Sequence, residues 1–195
     1  MTCKARTAVF ISGNGSNLQA LIDATRNDTS FPAEIVLVLS NKADAYGLTR
    51  AREAGITTIA VSHKDYPNRT AFDDAMHQIM KEYEIELICL AGFMRLLTPD
   101  FTQKWAGRMI NIHPSLLPDY KGLDTHRRVL EDGCHETGCT VHYVIADMDA
   151  GEIIMQERVP IIAGDTVEAL QQRVHAAEHR IYPYALKEVA EKLLG

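Results

Sequence analysis

The stretch Thr7-Ala-Val-Phe-Ile-Ser-Gly-Asn-Gly-Ser-Asn-Leu-Gln-Ala20 decides the fold. It runs from a short β-branched apolar segment, through two glycines, into a segment with Leu18, Leu21 and Ile22 at helical spacing. That is a strand, a tight turn and the start of an amphipathic helix. Outward from it the alternation repeats. Residues 34–40 are apolar on both alternations, as a strand covered on both faces must be. The segment 45–54 reads as a helix closed by Gly55, and 57–62 as a third strand. A helix follows over 69–83, with Phe72, Met76, Ile79 and Met80 on one face, then a fourth strand over 86–93. Pro99 opens a short helix, and 108–113 is a fifth strand. Repeated strand–helix–strand units demand a parallel sheet with right-handed crossovers.

Beyond residue 113 the pattern changes. Residues 115–125 read as loop and 126–132 as a short helix. Strands over 140–145 and 152–160 are joined by a turn at Asp149-Ala-Gly151, and so short a link predicts antiparallel pairing. The segment 166–194 is helical, with a break expected near Pro183. The expected class is α/β: a Rossmann-like, mainly parallel sheet with helices on both faces, its C-terminal part mixed. With no internal repeat or linker, residues 1–195 are expected to form one domain.

Composition narrows the function. With 46% hydrophobic and 24% charged residues, the chain is not of the disordered class. It carries 20 Lys and Arg against 26 Asp and Glu, a net charge of −6, and no basic stripe, which disfavours a nucleic-acid partner. No apolar run approaches the ~20 residues that span a bilayer, so no membrane association is expected. The first six residues lead into a strand rather than a signal peptide. Cys3, Cys89, Cys134 and Cys139 form no C-x-x-C pair, as suits reduced thiols in a cytoplasm.

Three segments carry candidate chemistry. Gly13-Asn-Gly-Ser-Asn17 lies at the carboxyl end of a strand and the N-terminus of a helix, where N–H groups and the macrodipole favour an anion. It lacks the third glycine of a dinucleotide fingerprint and the Gly-Lys-Ser/Thr of a triphosphate loop, so a single phosphate fits better. The bland alternative is a tight turn capped by Ser16 or Asn17. Asn111 and His113, two apart on a strand, share a face and could meet a developing oxyanion, or could simply cap a strand end. Asp147 and Asp149 lie on a turn and are either turn formers or, if one reaches His113, the group that orients its imidazole. A fourth pattern, His175-Ala-Ala-Glu178-His179, matches H-x-x-E-H, but no third ligand accompanies it and no metal is expected. The cluster Cys134, His135, Cys139 and His142 also lacks a ligand spacing.

The segments 11–20, 90–97 (Leu-Ala-Gly-Phe-Met-Arg-Leu-Leu) and 111–118 (Asn-Ile-His-Pro-Ser-Leu-Leu-Pro) resemble the folate-dependent formyltransferases, in particular the phosphoribosylglycinamide formyltransferases. The likeness runs from about residue 7 to the C-terminus. It implies that Gly15, Ser16 and Asn17 hold the phosphate of glycinamide ribonucleotide, and that Glu178, with His175 nearby, binds its ribose. It implies folate contacts from Arg69, from Met94, Arg95, Leu96 and Leu97, from Asn111, and from Ile145, Ala146, Asp147 and Asp149. Asn111, His113 and Asp149 would be the catalytic set. The co-substrate would be 10-formyltetrahydrofolate, with no metal, and the protein would act on small molecules as a monomer or homodimer. The N-terminal half would bind the nucleotide; the C-terminal half would bind folate and catalyse. Asp124 stands where some relatives have His, which leaves its role and that of His126 open. The nearest rival, formyltetrahydrofolate hydrolysis, goes with an additional N-terminal domain, for which the first strand's early start leaves no room.

Overall fold

The computed structural model describes residues 4–195. Seven strands form one sheet: β1 (Ala5–Ile11), β2 (Ala33–Ser40), β3 (Thr57–Ala60), β4 (Leu87–Leu90), β5 (Met109–His113), β6 (Glu136–Tyr143) and β7 (Ile153–Pro160). Their spatial order is β3-β2-β1-β4-β5-β6-β7. The first five are parallel, whereas β6 runs antiparallel to both β5 and β7.

Alternate residues of the parallel strands supply two cores. On one face, Val9, Ile11, Val38, Cys89 and Ile110 pack under α1 (Ser16–Asn27), α2 (Tyr46–Glu53), α5 (Thr125–Glu131) and α6 (Val167–Leu194). On the other, Ala8, Phe10, Leu37, Leu39, Ile88 and Met109 pack under α3 (Arg69–Glu82) and α4 (Pro99–Lys104). Helices on both faces and an antiparallel C-terminal pair are the arrangement that the sequence predicts.

Most boundaries fall within two residues of expectation, and three differences are larger. The fourth strand stops at Leu90, because Gly92 takes a φ of 75° and turns the chain. The sixth begins at Glu136 rather than residue 140, running through Gly138. A Cβ there would sit 2.1 Å from the Glu157 carbonyl oxygen, so the glycine marks close strand approach, not a turn. The last helix is continuous through Pro183. A mid-helix proline costs ~3 kcal/mol. Leu170, Val174, Ile181, Leu186 and Val189 of the same helix are buried, at ~1.5–3 kcal/mol each. Tyr182, fully buried, donates its hydroxyl to the Leu90 carbonyl at 2.9 Å. Packing on both sides of the proline therefore outweighs the missing hydrogen bond.

Cys89, Cys134 and Cys139 are free thiols; Cys3 and the start of the expected leader-free N-terminus lie outside the described residues. Among the described residues no helix is long and apolar enough to cross a membrane.

Candidate active site

The strand order reverses between β1 and β4, and the chain leaves these neighbours in opposite directions. Such a switch point opens a crevice at the carboxyl ends of the strands. A cavity of about 250 Å³ lies there, lined by Ser12 to Asn17 from one loop, by Ala91, Gly92 and Met94 from the other, and by His175.

The glycine loop is held by a backbone bond to α2 and by the Arg50 side chain, which donates to the Asn14 carbonyl at 2.9 Å and to its side-chain oxygen at 3.0 Å. Gly15 takes a φ of 75° as the N-cap of α1, and no side chain caps the helix. Neither Ser16 nor Asn17 does so, and the first N–H groups stay open toward the cavity. Gly47 of α2 donates its N–H to the Gly13 carbonyl at 3.0 Å. A Cβ on Gly15 would come 2.7 Å from the Gly47 Cα, so both glycines are required. The Asn17 side chain turns instead to α6, donating from Nδ2 to Glu178 Oε2 at 2.8 Å. Glu178 is 3% exposed, and burial pushes its carboxyl up to about 7 against the pull of that hydrogen bond. Burial likewise lowers His175, His179 and His126 from the ordinary histidine range.

The other half of the site stands one strand away. Asn111 pairs with Leu90, the last residue of β4 before Ala91 and Gly92 enter the cavity wall. His113, at the end of β5, is buried. Its Nε2 donates to the Tyr120 carbonyl at 3.0 Å, and its Nδ1 faces Asp149 Oδ2 at 3.4 Å. Both ring nitrogens thus face acceptors. Asp149 Oδ2 also accepts the Gly122 N–H at 3.0 Å. Asp149 holds a φ of 50°, and a Cβ on Gly151 would overlap the Tyr143 carbonyl oxygen at 1.7 Å. The turn is therefore clamped on β6 with the carboxylate aimed inward. Asp147 is exposed on the same turn.

His142 enters the site although its spacing carried no signal. It lies opposite Asn111 in the β5–β6 register. Its Nδ1 donates to the Tyr143 carbonyl at 2.9 Å, so its Nε2 lone pair accepts from Asn111 Nδ2 at 3.2 Å. Burial lowers its pKa and favours this neutral form. One Asn111 amide hydrogen is thereby engaged and the second left for a ligand.

Other expected residues are spread wider. Met94 and Leu96 are 63% and 57% exposed on the loop after β4, with Arg95 and Leu97 half-buried between and beyond them. Ile145 and Ala146 are exposed after β6, and Arg69 is exposed at the start of α3, on the opposite face of the sheet from α1 and α6. Asp124 has a left-handed φ of 56° at the start of α5; His126 is buried, its Nδ1 unpartnered. The H-x-x-E-H pattern does not converge, since Glu178 turns to Asn17 and the rings of His175 and His179 stack 6.3 Å apart. Cys139 lies in the core while His142 faces Asn111. Among the described residues no three His, Cys, Asp or Glu are grouped to hold a metal ion. A wider groove, about 720 Å³, runs between α1 and α6, but its cations are engaged: Arg50 by Asn14, Arg180 by Glu157 and Lys187 by Asp28.

The formyl transferase family model matches residues 5–186. The chain is 57% identical over 187 residues to the trifunctional purine biosynthetic protein adenosine-3 of Bos taurus, covering 96% of this chain and 18% of that one. It thus spans about a fifth of the trifunctional relative's length. It is 46% identical over 183 residues to the phosphoribosylglycinamide formyltransferase of Escherichia coli, covering 94% of this chain and 86% of that one. The crystal structure of glycinamide ribonucleotide transformylase 1 from Symbiobacterium toebii superposes with a TM-score of 0.94 at 47% identity, covering 97% and 89% of the two chains. That of the phosphoribosylglycinamide formyltransferase from Brucella melitensis gives 0.92 at 48% identity, covering 96% of each. Sequence match, relatives and fold agree, and the chain belongs to the formyl transferase family.

Proposed function

We propose that this protein transfers the formyl group of 10-formyltetrahydrofolate to the amine of glycinamide ribonucleotide, a step of purine biosynthesis. The observation that carries this reading is the adjacency of an uncapped helix N-terminus, fit for a phosphate, to the half-buried Asn111 and Asp149 around the buried His113, one strand away. In this reading the phosphate takes the open N–H groups at Gly15, Ser16 and Asn17. The ribose hydroxyls donate to Glu178, beside His175. The folate lies along Met94 to Leu97 and the turn from Ile145 to Asp149, with Arg69 toward its tail. Residues 1–195 then act as one domain, with folate contacts drawn from both halves of the chain.

The neutral amine attacks the formyl carbon, and the carbonyl electron pair moves onto oxygen. That oxyanion takes the free Asn111 N–H and lies in the field of the His113 imidazolium, which Asp149 holds in place. A proton leaves the attacking nitrogen and reaches N10 of the folate, directly or through one water; the oxyanion's electron pair then re-forms the carbonyl as the C–N10 bond breaks and its pair goes to N10. The products are the formylated ribonucleotide and tetrahydrofolate. Holding amine and formyl carbon together supplies much of the rate. No step calls for a metal or a covalent enzyme intermediate.

The deciding experiment is a steady-state assay of tetrahydrofolate release from 10-formyltetrahydrofolate. Release should be fast only with glycinamide ribonucleotide present. Equal rates with and without it would sink the proposal in favour of hydrolysis.

A further inference from the structure

At the switch point the backbone ladder ends. The Ala91 N–H donates to the Phe10 carbonyl at 2.9 Å, and beyond it the loops after β1 and β4 part to form the cavity walls. One side chain reaches across. Ser12, 4% exposed, accepts the Met94 N–H on its Oγ at 2.7 Å. Its own hydroxyl hydrogen goes to Asn41 Oδ1 at 2.5 Å, just past the end of β2. Asn41 is 5% exposed.

A serine hydroxyl has one hydrogen and two lone pairs. With the hydrogen committed to Asn41, a lone pair is aimed at Met94. Phe93 and Leu97 pack this loop onto the core, whereas the Met94 side chain is 63% exposed and its backbone N–H is held by Ser12. Ser12 and Met94 both line the cavity. The three ends β2, β1 and β4 are thus linked in the order Asn41, Ser12, Met94.

We propose that Ser12 is a positioning residue that fixes the separation of the two substrate loops, so that both substrates feel its loss. This rests on the assignment of residues 13–17 to the ribonucleotide phosphate and 94–97 to the folate. Ser12 contributes no proton and touches no reacting atom. It sets where the open N–H groups of α1 stand relative to the folate wall.

The test is steady-state kinetics of full-length Ser12→Ala, Asn41→Ala and the double variant, with thermal unfolding of each. Losing a partly buried hydrogen bond corresponds to about a tenfold effect. In Ser12→Ala the KM of both substrates should rise about tenfold, with kcat within about twofold of wild type. Asn41→Ala should move both in the same direction by less. The double variant should be no worse than Ser12→Ala, because the two residues act through one chain of bonds. A rise in one KM alone, a fall in kcat at unchanged KM, or full additivity would overturn the proposal. If Ser12→Ala does not fold, Asn41→Ala decides: unchanged KM for both substrates overturns it. Failure of the functional assignment is separately visible as absent ribonucleotide-dependent transfer in the wild type.

Discussion

At the scale of single residues, two carboxylates occupy opposite regimes. Asp149 is tied to His113 and the Gly122 N–H, and its charge has a partner. Replacing it by Asn keeps an acceptor for Gly122 but removes the charge opposite the imidazole. Turnover should fall ~100- to 1,000-fold, the loss typical of one missing oxyanion stabiliser. Ribonucleotide affinity, measured by calorimetry, should be unchanged, and Asp147→Asn, altering an exposed residue of the same turn, should stay within about twofold of wild type. Near-normal turnover in Asp149→Asn would remove it from the mechanism. Among the described residues Glu178 is buried with only Asn17 as partner, and its pKa rises from 4.5 to about 7 on folding. Folding therefore takes up a proton between those values, and stability falls as pH rises from 4.5 toward 7. Glu178→Gln should raise the melting temperature at pH ~8 by several degrees, a gain of at most ~3 kcal/mol, and leave it unchanged near pH ~4. The same change should weaken ribonucleotide binding about tenfold. Equal melting temperatures at the higher pH would show that the buried charge is compensated.

At the scale of elements, α6 does the most. It covers the sheet, supplies Tyr182 to the Leu90 carbonyl, brings His175 to the cavity and sets Glu178 against Asn17 of the cavity wall. It does so across Pro183, which gives no N–H to the turn before it. Pro183→Ala restores that donor in a helix already held by packing. Thermal unfolding should show a gain of ~1–3 kcal/mol, whereas a loss would mean that the proline ring itself packs against α1. The break expected from the proline did not form, because local propensity is a weak prior beside a buried helix face. The first residues of β6 fell outside the strand expected from sequence: a glycine weakens a strand pattern, and the close approach of the Glu157 backbone to Gly138 is made only in the fold.

At the scale of the whole molecule, the proposed reaction uses side chains gathered at the sheet's switch point. Activity should survive exhaustive dialysis against a chelator; stoichiometric zinc, with activity lost on its removal, would restore the H-x-x-E-H reading. The alternation of strand and helix periodicities was enough to read the parallel sheet, its two covered faces and the antiparallel addition, because burial on one or both faces writes its period into the chain. The glycine loop and the Asn111/His113 pair were also legible, since each lies within a few residues at a strand end. What no local pattern encodes is which distant side chains meet. His142 reaches Asn111 only through the β5–β6 register, Asn17 reaches Glu178 across 161 residues, and Ser12 reaches Met94 across 82. Sequence by itself determined the class of fold and the residues with chemistry to offer. The tertiary structure alone decided their partners, and with them which hydrogens are spent and which are free, because hydrogen bonding is set by ångström-scale approach between segments that the chain's periodicity does not relate.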